Sequence, residues 1–413
     1  MIRTRRMALL ACAALLLPSL GSEAEAQNRR RQARRDRPDE PPPRVRRRRR
    51  LLRRGRVLAW RERLIARRLA NRARFDVGRN GEQVLRSEIL AINPSEPALA
   101  QAIAQGFTQL RASGGDALGV RIVVLRSPEG MGTLAALDML SQADPHGVYE
   151  LNHVFDPSQG ESSGDAIASQ PPAHDGAGLK IGMIDAGLDR THPALASARI
   201  EARGFVGAAA PSPHGTAVAS LLVGEDDDFS GCAPGAALFA ADVFGDSAEG
   251  GSAEAIANAL AWMAEQGVGV VNISLVGPPN RALDAVCRAM VARGLIIVAA
   301  VGNEGPTSPV GFPAACPGVV AVTAVDADNR IYLSANRGPQ VAFAALGVNV
   351  EAAVDEGAYE ELSGTSFAAP IVAALLARRA PANATQAVAQ LSRAALDLGA
   401  PGRDVVYGYG LVR

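Results

Sequence analysis

From residue 179 onward, short apolar runs rich in β-branched and small residues alternate with alanine-rich stretches of helical length, and no other feature of this chain limits its fold as tightly. The pattern predicts strands over 180–184, 237–243, 268–274, 295–301 and 319–325, and helices over 216–223, 253–265, 281–293 and 365–379. Strand–helix alternation of this kind closes into a doubly wound, mostly parallel α/β sheet flanked by helices. In such a sheet the working crevice lies at the carboxyl ends of the strands. Aromatic residues make up only 4% of the chain, so the core must rest on Ala, Val, Leu and Ile.

The region upstream is of different character. Arg3, Arg5 and Arg6 precede an apolar run over 7–17, and Ala24-Glu25-Ala26 supplies a small-x-small cleavage pattern. Residues 1–26 therefore read as a secretory signal, which places the protein in the periplasm or outside the cell. Residues 27–80 are crowded with Arg and interrupted by Pro41, Pro42 and Pro43, a composition that predicts disorder. Around Val57, Leu64, Ile65 and Leu69 a short basic amphipathic helix is conceivable, either as part of a solvated tether or as a contact for an anionic surface. Nucleic acid is disfavoured as a partner because no stacking aromatics or recognition motif accompany the charge. Residues 81–155 become regular again, with strands expected over 84–92, 120–125 and 148–155 and helices over 97–110 and 132–140. That order suits a small α/β sandwich. A Gly/Ser-rich linker follows over 156–178, and residues 179–413 form the large domain.

Cys12 leaves with the signal, so Cys232, Cys287 and Cys316 remain. Export permits a disulfide. Cys287 and Cys316 flank the strand predicted over 295–301 and can meet in space; the alternative is three small buried hydrophobes. No Cys/His spacing suited to a metal occurs, and no calcium ligand set stands out, so no cofactor is expected.

Four positions carry chemistry. Asp185 follows an apolar strand, where a charge needs a partner. His214, in Pro213-His214-Gly215-Thr216, opens an alanine-rich helix, and histidine is the side chain best suited to moving a proton near neutral pH. Ser366, in Gly364-Thr365-Ser366-Phe367-Ala368-Ala369-Pro370, enters a helix, where the dipole favours developing negative charge and its own N–H can face a substrate oxygen. Asn303 ends a strand in Gly302-Asn303, where its amide can donate to an oxyanion. Taken singly, each also fits a turn former, a cap or a structural histidine.

Together, these strings and Asn272-Ile273-Ser274-Leu275 resemble the subtilisin-like serine proteases over residues 180–413. The order Asp, His, Ser along the chain is the order of that family. The resemblance implies a secreted serine endopeptidase acting on polypeptides. In it Asp185 orients the imidazole, His214 is the general base and acid, Ser366 is the nucleophile, and Asn303 with the Ser366 N–H forms the oxyanion hole. Ser274, Leu275 and Gly302 would line the substrate strand. It further implies that residues 81–155 are a propeptide that assists folding and inhibits the enzyme until cleaved, at a point between 155 and 178. Two departures stand out: Ala186 occupies a position where the family usually has Ser or Thr, and Val276 one where it often has Gly. A catalytically silent scaffold of the same fold is the main alternative, and a module docked on the envelope by its Arg-rich arm is another.

Overall fold

The computed structural model describes residues 55–115, 119–158, 170, 173–380 and 383–413. The signal-like segment, the first half of the Arg-rich stretch and most of the linker lie outside the described residues. The described residues all fall in one compact unit.

Helix α1 (Arg56–Ala70) and strand β1 (Phe75–Val77) occupy a stretch whose composition predicted disorder. They are followed by β2 (Gln83–Ile92), α2 (Glu96–Ala104), β3 (Thr108–Gly115), β4 (Val120–Arg126), α3 (Thr133–Ala143) and β5 (Val148–His153). The helix expected over 97–110 thus ends six residues early, and an unforeseen strand follows it. The Ser95 side chain caps the start of α2, accepting from Ala98 N, and Gly106, at φ +94°, turns the chain out after its end. The strands form an antiparallel sheet in the order β1-β2-β4-β3, with β5 also paired to β2. Period-two alternation gives the sheet two apolar faces. Ile89, Ala91, Val123 and Leu125 face α2 and α3. Leu90, Ile92, Ile122 and Val124 instead share a core with the large domain.

Strand β6 (Asp156–Pro157) opens the stretch expected as linker and pairs with a strand of the large domain. The large domain then runs β7 (Lys180–Asp185), β8 (Arg199–Gly204), α4 (Pro213–Val223), β9 (Ala237–Asp242), α5 (Ala253–Glu265), β10 (Val270–Ile273), β11 (Leu275–Val276), α6 (Arg281–Ala292), β12 (Ile296–Ala300), β13 (Val320–Val325), β14 (Val341–Leu346), β15 (Val350–Val354), β16 (Ala358–Leu362), α7 (Thr365–Ala377) and α8 (Ala384–Ala394). Seven strands form a parallel sheet in the order β14-β13-β12-β10-β7-β9-β8. Both faces are covered, as a parallel sheet requires. Ile184, Val271, Ile273, Ile297 and Ala299 pack with α5 and α6, and the alternating residues Met183, Val270, Ile296, Val298 and Ala300 pack with α4 and α7. Helix α7 is buried on every side, which its uniformly apolar sequence allows.

Chain order makes β7 the pivot. From it the chain crosses first to β8 and β9 on one side, then to β10, β12, β13 and β14 on the other. The crevice of a doubly wound sheet opens where the order reverses, above the carboxyl ends of β7 and β10.

Candidate active site

Asp185 is the last residue of β7 and is fully buried. Its Oδ1 accepts from Ala186 N at 2.7 Å and from His214 Nδ1 at 2.7 Å. Its Oδ2 has no hydrogen-bond partner among the described residues, which fits the lack of a hydroxyl at Ala186.

His214 reaches Asp185 because α4 starts very close to the β7 loop. Ser212 caps the helix by accepting from Gly215 N at 3.0 Å, and Pro213 stands in its first turn, where no N–H is needed. A Cβ on Gly215 would lie 2.1 Å from the carbonyl oxygen of Ala186, so only glycine permits this approach. With Nδ1–H held by the carboxylate, Nε2 carries the lone pair, and it has no hydrogen-bond partner among the described residues.

Ser366 lies in the first turn of α7, after Gly364 at φ 153°. Its backbone carbonyl accepts from Ser274 Oγ at 3.0 Å, and Ser274 Oγ in turn accepts from Asn272 Nδ2 at 3.0 Å. Thr365, beside Ser366 in the helix approach, sets the amide of Asn303. Its N–H and its hydroxyl both donate to Asn303 Oδ1 at 3.1 Å. That fixes the amide with Nδ2 toward the cleft, where it donates to Ser158 Oγ at 3.1 Å. The N–H and carbonyl of Gly302 lie against Thr365 Oγ1, at 3.3 and 3.4 Å.

The cleft is filled by the protein's own chain. β6 pairs antiparallel with β11, with Leu275 opposite Pro157 and Val276 opposite Asp156. Ser158 N donates to the Ser274 carbonyl at 3.1 Å, so both Ser274 and Leu275 hold this strand. On the other side Phe155 N donates to the Gly251 carbonyl at 2.8 Å. The Phe155 ring is buried against Gly277, where an added Cβ would lie 2.3 Å from the ring. The Ser366 hydroxyl donates to the carbonyl oxygen of Ser158, and the Ser274 carbonyl lies 3.3 Å away. The Ser366 hydroxyl thus sits on the Ser158 carbonyl and the Asn303 amide on the Ser158 side chain, while His214 Nε2 makes no hydrogen bond among the described residues. Only the position of β5 just before the linker hinted at this in the sequence.

Cys287 and Cys316 are buried as free thiols in the same core, with Cys316 raised above the usual thiol range by its hydrogen bond to Cys287 and by burial. Cys232 is also a buried free thiol. Among the described residues no group of three or more His, Cys, Asp or Glu could hold a metal ion.

An α/β sheet with these groups at its switch point defines a hydrolase built for acyl transfer to a serine. Residues 176–410 match the Subtilase family (Peptidase_S8), and the chain belongs to that family of serine endopeptidases. It is 32% identical over 284 residues to subtilisin E of Bacillus subtilis (strain 168), covering 66% of this chain and 70% of that protein. It is 34% identical over 260 residues to subtilisin Savinase of Lederbergia lenta, covering 59% of this chain and 93% of that one. Among solved structures, fervidolysin from Fervidobacterium pennivorans superposes with a TM-score of 0.68 at 21% identity, over 81% of this chain and 61% of that one.

Proposed function

We propose that the chain is the exported zymogen of a serine endopeptidase that cuts itself after Ser158. The observation that carries this reading is the Ser158 carbonyl held at the Ser366 hydroxyl by a strand paired into the cleft.

In this reading the Ser366 hydroxyl turns its proton to His214 Nε2, and Oγ bonds to the Ser158 carbonyl carbon. Asp185 stabilises the imidazolium that results. Asn303 Nδ2 and the Ser366 N–H donate to the developing oxyanion. His214 then returns the proton to the nitrogen of Gln159 as the Ser158–Gln159 bond breaks. Water, deprotonated by the same imidazole, hydrolyses the ester and leaves a carboxylate on Ser158. The chain's own side chains and one backbone N–H supply every step, and the reading takes no cofactor.

The N-terminal region acts as an intramolecular inhibitor and folding template, since one face of its sheet packs on the large domain. Polypeptide substrates in trans would carry a small residue at the cut and an aromatic one three positions before it, as Ser158 and Phe155 do. The arginine run and the Ala24-Glu25-Ala26 pattern support export to the periplasm or medium.

The test is the intact mass of the purified wild-type chain beside Ser366→Ala. Loss of everything through Ser158 in the wild type alone is the expected result. Two full-length chains would refute self-cleavage.

A further inference from the structure

Helix α1 lies outside the antiparallel sheet and makes its own contacts with the cleft. Val57, Trp60, Leu64 and Arg68 recur at helical spacing and so share one face. Val57 is buried with Ala217, Leu221 and Phe367, which come from the helices that carry His214 and Ser366. Trp60 stacks on the His214 ring, with centroids 6.2 Å apart and planes 19° apart, and meets Phe244 edge-on at 5.8 Å. Leu64 shares a core with Phe155 and Phe244. Arg68 is buried over the cleft strand, where it bonds Asp156 Oδ1 at 2.6 Å, the Phe155 carbonyl at 3.3 Å and the Gly250 carbonyl at 3.1 Å.

The two ends of the helix are held by charge. At its start, Arg56 N donates to Glu360 Oε1 at 2.7 Å, where a carboxylate complements the positive end of the dipole. The Arg56 guanidinium pairs with Asp355 at 3.2 Å and Glu356 at 2.6 Å, both in the β15–β16 hairpin. Arg74, just after the helix, pairs with Glu249. The arginines that composition assigned to a solvated tether are thus partly spent on an acidic rim beside the active site.

We propose that α1 is a second inhibitory element, distinct from the antiparallel sheet, which docks on an acidic and aromatic surface of the catalytic domain. This deepens the zymogen reading and rests on it. The sheet grips the domain from behind, through α5 and α6. Helix α1 covers the cleft from the front: Trp60 lies on the face of the imidazole, and Arg68 holds the strand that ends at Ser158. Cutting the Ser158–Gln159 bond breaks none of these contacts. The cut product therefore stays in the cleft, and the enzyme is silent until α1 lets go.

Two measurements test this. In the intact Ser366→Ala chain, hydrogen exchange should protect the amides of 60–70 well beyond an unpacked helix, and Trp60→Ala in the same chain should remove that protection while the β7 and β10 amides keep theirs. In the processed wild-type enzyme, peptide hydrolysis is followed on dilution. Trp60→Ala should raise the dissociation constant of the cleaved N-terminal region on the order of thirtyfold, the scale of a hot-spot aromatic, here half-buried against the imidazole. The control Arg63→Ala, on the exposed face of α1, should change nothing. Free exchange of 60–70 in the intact chain overturns the docking. Protection there, with Trp60→Ala matching Arg63→Ala on dilution, overturns the inhibitory role. If all chains stay uncut and inert although α1 is protected, the protease reading fails first and takes the inhibitory role with it.

Discussion

Phe155→Ala should separate the affinity of the cleaved N-terminal region from the rate at which it is cleaved. The ring is fully buried between Gly277 and the segment around Gly251 and Phe244. A buried phenylalanine hides about 150–200 Å², which at about 25 cal/mol per Å² corresponds to about 4–5 kcal/mol. Core Phe→Ala substitutions cost about 3–5 kcal/mol, in agreement with that area. The backbone bonds of 155–158 survive the substitution, so about 3 kcal/mol is the fitting figure, or a dissociation constant about 10²-fold higher. Cleavage itself should slow far less. Before the cut the strand is tethered, and its effective concentration, on the order of millimolar, offsets the lost contact. The assay is hydrolysis of a chromogenic peptide by the processed enzyme over serial dilution, with mass spectrometry to fix the site of the cut. The variant should gain activity at about a hundredfold higher enzyme concentration than the wild type, still cut after Ser158. A dilution curve that superposes on the wild type's would refute the reasoning.

Asn303→Ala should lower kcat about 10²- to 10³-fold with little change in KM, a range first established for one such donor in a subtilisin; an unchanged kcat would remove Asn303 from the oxyanion hole. His153 should make release depend on pH. Burial holds its pKa below the ordinary value, against the pull of Glu150 and Glu82. Asn280 donates to its Nδ1 at 2.9 Å, and that amide is fixed by the Leu151 carbonyl and Leu283 N, so a proton on Nδ1 would face a donor. Below about 6.5 the released form binds the extra proton and the docked form does not. The grip is therefore full above that pH and weakens as pH falls through it, which dilution assays at pH 7.5 and 5.5 would read; His153→Leu should flatten the profile.

The sequence made the site legible wherever the chemistry demands a local motif. Gly215 is needed for the helix to meet the Ala186 carbonyl, and Thr365 for the Asn303 amide to keep its direction, so these residues travel with the reactive ones. What escaped was decided by contacts distant in sequence. Phe107 and Leu110 continue a helical spacing, yet Gly106 in the left-handed region ends the helix and the second of them lies in a strand. Of the four apolar residues that suggested an amphipathic helix at α1, Val57 and Leu64 are buried but Ile65 and Leu69 are exposed, and Trp60 and Arg68 complete the docking face. The β15–β16 hairpin turns through Glu356 and Gly357, both at positive φ, a primed turn whose acidic residue reads as ordinary surface until Arg56 is seen against it.

Helix α1 and the antiparallel sheet are joined by only the few residues from Asn71 to Arg74. Two weak grips on one short connector behave as a bivalent ligand: when either lets go, the other keeps it close enough to rebind. Thermal opening of one grip would then seldom free the enzyme, whereas a single nick in the connector would turn both grips into independent, diluting fragments. In the zymogen reading, release would then turn on the connector over 71–74 rather than on outcompeting two surfaces.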